Sequence, residues 1–323
     1  MKLNRRTLMG AAISATATGA SRAHAADANR ISMGYIGDYQ NTSLPAIATD
    51  QKMWEAEGLV PDLKVFTNGP IQIQAMGAGS LDFGAIGPGA LWLPASGRTK
   101  VVAVNLLTFS DRLLAQPGIA SVQALKGKKV GIPQGTSGEM ILRLTLAKAG
   151  MTTADIEVVP MDYSTLVAAF SSGQVAAAGL NYPMIDIVKK RLPGLVELSS
   201  DEEFYPAYSF PNVFVARNDT VQNNAQLVTR FIRVMKKAMD YRVADIDRAV
   251  QISAKFLGVA PEALTSSART NKMLSSQDLV RLTEDGTVEK WFAGLNGMFK
   301  EFGTLPTPLP PSQYYESKMF VSA

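Results

Sequence analysis

Short apolar runs with a period of two alternate with longer amphipathic runs along most of this chain, and that change of period is its first structural signal. "RISMGYIG" predicts a strand, and the polar "DYQNTS" after it reads as a loop. "LPAIATDQKMWEAEG" then supplies a helix with Ile47, Met53 and Trp54 on its apolar face, stopped by Gly58. The unit repeats: "LVPDLKVF" is a strand and "PIQIQAMGAG" a short helix closed by glycine. "LDFGAIG" is a strand, "PGALWLPASG" a helix with Pro88 near its first turn, and "KVVAVNLL" another strand. Strands and helices alternating at this spacing call for a mainly parallel α/β sheet. Ligands of such sheets sit where strand carboxyl ends meet helix N-termini.

From Ser110 a second set begins, running through "RLLAQPG", "KGKKVGIPQGTSGEMILRLTLAKAG", "IEVVPM", "YSTLVAAFSSG", "VAAAGLN" and "PMIDIVKKRL". The strand-like "NVFVAR" follows, and helical patterning then covers 221 to 257, 261 to 267 and 275 to 302. The proline-punctuated "GTLPTPLPPS" reads as extended chain wrapped over the surface. No internal repeat and no long linker is visible, so an inserted lobe fits better than two separate beads. The expected division is residues 26–114 plus 213–323 for the first lobe and 115–212 for the second, with entry near Leu114 and exit near Asn212.

Composition changes this picture at one end. Residues 1–25 carry a basic start (Lys2, Arg5, Arg6), a small and apolar run, and Ala23-His24-Ala25 as an A-x-A cleavage site, the pattern of an export signal. The pair Arg5-Arg6 resembles a twin-arginine signal, and the weakly hydrophobic run with Arg22 near the cut fits that route better than general secretion, which is the alternative. The run is too short to span a bilayer, which takes roughly 20 apolar residues. The expected mature chain begins at Ala26 and is periplasmic. Loss of the signal removes four of the 32 Lys and Arg and none of the 28 Asp and Glu, so the net charge of +4 falls to zero. A neutral surface of mixed sign gives no footprint for nucleic acid.

Chemistry is restricted just as sharply. The chain has no Cys, and its single His is His24 inside the signal. Disulfides, thiolate nucleophiles, Ser-His-Asp catalysis and His- or Cys-bearing metal sites are therefore excluded for the exported form. No cofactor and no metal is expected.

What remains are helix starts and loops. In "GIPQGTSGEMIL", Thr136 at N-cap and Glu139 three residues on form a capping box, and the N–H groups of Ser137 and Gly138 could hold an oxyanion or carbonyl. "LDFGAIGPGALWL" offers a matching glycine-lined start, Gly87-Pro88, in the first lobe. Neither has the spacing of a P-loop or of a dinucleotide fingerprint. Aromatic and amide residues lie at equivalent loops: Tyr39, Gln40 and Asn41, then Asn181 and Tyr182, then Phe210. That mixture suits a small-molecule site. "RFIRVMKKAMDYR" reads as the solvated face of a helix, and the acids of "SSDEEFY" as solvent-facing.

These stretches together, "LPAIATDQKMWEAEGLVPDLKV", "GAGSLDFGAIGPGA", "LKGKKVGIPQGTSGEMIL", "MDYSTLVAAFSSGQVAAAGLNYP" and "NVFVAR", resemble the periplasmic substrate-binding proteins of ABC importers for sulfonates, taurine, nitrate and related molecules, the NMT1/THI5-like group. The resemblance implies a two-lobed type II periplasmic binding fold, each lobe a mixed, mainly parallel sheet flanked by helices, with a helical C-terminal part. It implies a monomer that captures a small solute, sulfonate-like, nitrate-like or aromatic, and delivers it to a membrane permease and its ATPase. By position it carries ligand contacts onto Tyr39, Gln40, Asn41, Gly87, Pro88, Gly135, Thr136, Ser137, Asn181, Tyr182 and the neighbourhood of Phe210. Members usually show an acid-Ala-Trp-like run where this chain has "VAAAGLNYP", with Asn181 and Tyr182 in its place. Delivery to a signalling receptor is a further implied role. Enzymes of the same group use a Cys nucleophile or a consumed His, which the exported form lacks.

Overall fold

The computed structural model describes residues 29–323. The signal-like segment 1–25 and the expected start at Ala26 lie outside the described residues.

The first strand, β1 (Arg30–Ile36), ends at Gly37 and runs directly into helix α1 (Tyr39–Asp50). The expected loop at "DYQNTS" is thus the first turn of a helix. Asp38 explains the difference, because its carboxylate accepts the backbone N–H of Asn41 at 2.8 Å and so caps the helix five residues earlier than the apolar pattern starts. β2 (Val60–Phe66), α2 (Gly69–Gly77), β3 (Phe83–Ile86) and β4 (Lys100–Leu107) follow, close to the expected positions.

The chain then crosses to a second sheet. There β5 (Asp111–Ala115), β6 (Lys129–Ile132), helix α3 (Ser137–Lys148), β7 (Glu157–Pro160), helix α4 (Tyr163–Ser171), β8 (Ala177–Asn181), helix α5 (Met184–Arg191) and β9 (Val196–Ser200) are laid down before the return in β10 (Pro211–Ala216). The division expected at 114/115 would cut β5, which pairs along its length with β8 and β9. The chain therefore passes between sheets at 108–110, and comes back at 201–210.

The sheet orders are β11-β4-β10-β3-β1-β2 and β7-β6-β8-β5-β9. In the first, β1 is parallel to β2 and β3 while β10 runs antiparallel to β3 and β4; in the second, β6 is parallel to β7 and β8 while β5 is antiparallel. Both sheets are mixed, as expected. Along β5, Leu113 and Leu114 point to opposite faces and enter separate apolar clusters on either side of the second sheet, as a period of two requires.

The C-terminal region packs on the first sheet as α6 (Ala225–Ala244), α7 (Ile246–Leu257), α8 (Glu262–Thr270), the short edge strand β11 (Lys272–Met273), α9 (Ser276–Glu284) and α10 (Thr287–Glu301). Phe231 of α6 stacks on Phe83 of β3 with ring centroids 4.0 Å apart, inside the largest core of the molecule. The tail returns beside β4, with Tyr314 accepting from the Val101 N–H at 2.7 Å and Val101 accepting from Glu316 at 2.9 Å.

The two lobes are closed on one another. Met140 and Leu144 of α3 are buried in the first lobe's core, Trp92 Nε1 donates to the Gly135 carbonyl at 3.4 Å, and Arg143 reaches the Phe302 carbonyl at 3.3 Å. At Gly89 the contact is backbone to backbone: a Cβ there would stand 2.1 Å from the Ser137 nitrogen.

Candidate functional site

Between the lobes lies a polar cavity of about 40 Å³, room for roughly three water-sized groups by the minimum volume a water needs. Its lining comes from both sides: Asp38, Gln40, Asn41, Asn68, Gly87, Pro88 and Asn212 from the first lobe, Asp111, Thr136, Ser137, Tyr163 and Asn181 from the second, with Thr108 in the crossing segment. It adjoins a larger space of about 210 Å³, lined by Phe66, Thr67, Pro183 and Met184 together with Ile36, Asp38, Tyr163 and Asn181, which line both.

Of the residues expected from sequence, Gln40, Asn41, Gly87, Pro88, Thr136, Ser137 and Asn181 meet at the polar cavity. Four do not line it. Tyr39 begins α1 on its other side and is fully buried among Val250, Leu264 and Ala268 of the C-terminal helices. Gly135 adopts a left-handed φ of 72° and spends its N–H on Glu139 and its carbonyl on Trp92, so it joins the lobes. Tyr182 packs in the second lobe's core beneath the Arg112 and Lys189 cations, and Phe210 lies in the first lobe's core.

The expected capping box at α3 is also rearranged. Thr136 is the N-cap and accepts from Gly138 at 3.3 Å, but Glu139 reaches past it to the N–H of Gly135 at 2.8 Å and pairs with Arg143. The Gly138 N–H is therefore already engaged, and the Ser137 nitrogen lies against Gly89, so this helix start is less open than the sequence suggests.

The first-lobe wall is held by a chain of hydrogen bonds that starts far away in sequence. Asp38 accepts both the backbone N–H and the side-chain amide of Asn41; Asn41 Oδ1 accepts from Asn212 at 3.0 Å; and Asn212 Oδ1 accepts from Asn105 at 2.9 Å. Asn105 also donates to the Gln40 carbonyl, while Ser267 donates to Gln40 Oε1 at 2.7 Å. At the root is Arg242, fully buried, donating to Asn105 Oδ1, the Asn105 carbonyl and Ser43. Arg242 falls in the run expected to be solvated. Its arginine sits on the face of α6 turned to the sheet, where burial lowers its pKa to about 10.

Acidic groups dominate the electrostatics. Burial pushes Asp38 up to about 7 against its hydrogen bonds from Asn41, and the Asp111 charge adds to the rise. Burial likewise raises Asp111 to about 6, opposed by the Ser137 hydroxyl and the Arg112 cation. Arg112 itself is committed elsewhere: it donates to Asp201 at 3.2 Å, to Glu197 at 2.8 Å, and to the carbonyls of Phe109 and Asp111. Asp201, expected to face solvent, is fully buried and also accepts the Asp111 N–H at 3.1 Å, which ties the return crossing to the start of β5.

Sequence reasoning missed Asp38, Asp111 and Tyr163. Asp38 carried a usable signal as the acid preceding a helix. Asp111 and Tyr163 carried none, since only the folded chain sets them together.

A cavity between two mixed sheets joined by crossing segments defines the class as a periplasmic binding protein fold, and comparison bears this out. The alkanesulfonate-binding protein SsuA from Xanthomonas axonopodis pv. citri, solved with MOPS bound, superposes with a TM-score of 0.71 at 19% identity, covering 89% of this chain and 98% of that one. The chain belongs to the NMT1/THI5-like family, which matches residues 44–249. It is 51% identical over 297 residues, 92% of this chain and 93% of the other, to a protein of Brucella abortus (strain 2308) whose name identifies it as a binding protein without stating a ligand. It is 22% identical, over 88% of this chain and 91% of the other, to the taurine-binding periplasmic protein of Escherichia coli (strain K12).

Proposed function

We propose that this protein is the exported, periplasmic solute-binding component of an ABC importer, capturing a small organic solute between its lobes and presenting the closed form to a membrane permease. The observation that carries the reading is the polar cavity lined from both lobes, with the lobes in contact beside it. The first lobe comprises Arg30 through Leu107 and Pro211 onward, the second Asp111 to Ser200. Bending falls at the two crossings between them.

The solute's polar end sits among Gln40, Asn41, Gly87, Pro88, Thr136, Ser137 and Asn181, with Asp38, Asp111 and Tyr163 beside them; their shared lining of the cavity supports this reading. Capture proceeds without catalysis. The chain has no Cys, and its sole His belongs to the signal-like segment.

A thermal-shift panel of alkyl and aryl sulfonates, nitrate, aromatic carboxylates, pyrimidines, flavins and organic amines tests this. A ligand present at 100 times its dissociation constant adds about 2.7 kcal/mol of stability. Silence across the panel, from protein unfolded and refolded to strip any bound solute, would remove the reading.

A further inference from the structure

Resting on solute capture at this cleft, the charges of the site say what the solute's polar end must be. Every charged side chain lining either connected space is an acid: Asp38 and Asp111 at the polar cavity, Asp38 and Asp162 at the larger one. Among the described residues no Lys or Arg lines either space. The Arg112 guanidinium, next to Asp111 in the chain, is already shared among two carboxylates and two carbonyls.

Asp111 Oδ1 and Thr108 Oγ1 at the cavity are buried, on residues that are each 1% exposed, and neither atom makes a hydrogen bond among the described residues, although the Ser137 hydroxyl stands beside the Asp111 carboxyl. A carboxylate oxygen can only accept, so what completes Asp111 must donate. A buried acceptor left without a donor is costly, and an oxyanion set against it would add repulsion. Helix N-termini do not reverse this sign. The start of α1 is capped by the Asp38 carboxylate itself, that of α2 by Asn68, and that of α3 by Thr136 with Glu139 in its first turn.

We propose that the solute bound by this protein presents a nitrogen-donor head, a primary ammonium, an amidinium or the amino group of a heterocycle, to Asp111 and Asp38, and lays its apolar body against Phe66, Pro183 and Met184. The volumes suit that division: a few heavy atoms fill the polar cavity and the remainder enters the 210 Å³ space.

The test sets alkyl and aryl amines, amidines and aminoheterocycles against alkyl and aryl sulfonates, carboxylates and nitrate in thermal shift and calorimetry. Wild type and Asp111→Asn are measured side by side. Asn keeps the shape of the side chain and removes its charge, so the two hypotheses differ in sign. A donor head loses roughly tenfold to a hundredfold in affinity in the variant, whereas an oxyanion is bound more tightly. The expected result is a donor-bearing hit that the substitution weakens while the unliganded protein melts no lower. Hits confined to sulfonates, carboxylates or nitrate, or a hit whose affinity Asp111→Asn leaves unchanged or improves, would overturn the proposal and leave solute capture standing. No hit of either kind from stripped, refolded protein would take down the capture reading and the proposal with it.

Discussion

On the first-lobe side of the cleft, polar groups are tied to one another through five residues, Asp38, Asn41, Asn212, Asn105 and Arg242, and the root of that chain is a buried cation. On the other side, Asp111 is held by its backbone N–H, and its outer oxygen has no partner. The contrast separates two jobs. The first wall is organised before any solute arrives, so little ordering entropy is lost there on binding. The second wall carries an unmet hydrogen-bonding demand that a solute would satisfy, and lobe closure brings it into place.

Breaking the organised wall at its root should have the largest effect. Arg242→Met leaves Asn105 Oδ1, the Asn105 carbonyl and Ser43 without their donor, and each buried acceptor left unsatisfied typically costs about 1 to 3 kcal/mol. Urea unfolding reads this directly; a loss under about 1 kcal/mol would show that the network does not depend on the arginine.

The unmet wall should reveal itself in pH dependence. Asp38 and Asp111 bind protons more tightly folded than unfolded, because burial raises both above the ordinary 3.8. The folded state therefore holds the extra protons, and the stability these two groups contribute is full below about pH 4, falls as pH rises from there through 6 and 7, and is gone above. At 1.36 kcal/mol per pKa unit the two rises together amount to at most about 7 kcal/mol. The groups that face these carboxyls are Arg112, Asp201 and Tyr163. Asp201 is raised as well, so the double variant Asp38→Asn, Asp111→Asn should reduce the slope without abolishing it. Equal slopes in wild type and variant would contradict the assignment.

Closure itself is tested at Gly89. A Cβ there collides with the Thr136–Ser137 backbone only when the lobes are together. Gly89→Ala should weaken solute binding at least about a hundredfold, roughly 2.7 kcal/mol, and leave a more extended particle in small-angle scattering with a near-normal melting temperature. Unaltered affinity would mean that the closed contact is not required. Smallest is the helix cap: Thr136→Ala should lower stability by about 1 kcal/mol in denaturant unfolding, and no change would mean that the 3.3 Å contact to Gly138 contributes nothing.

By itself the sequence determined the strands and most of the helices, since a period of two or of 3.6 is a local property that burial of one face makes obligatory. It also determined the residue types on hand, with no Cys and a single His, His24. It placed seven cavity residues because glycine-lined turns and helix starts at strand ends are readable in order along the chain. Tertiary structure decided the rest. Tyr39 and Gln40 are neighbours in sequence, yet α1 turns one into the C-terminal helices and the other into the cleft. Arg242 and Asp201 looked like solvent-facing charges because composition cannot tell a paired buried charge from a hydrated one. Their partners, Asn105 and Arg112, lie 137 and 89 residues away. The pairing of Asp38 with Asp111 across the cleft, which sets the sign of the site, exists only because two separate sheets meet at their crossing strands.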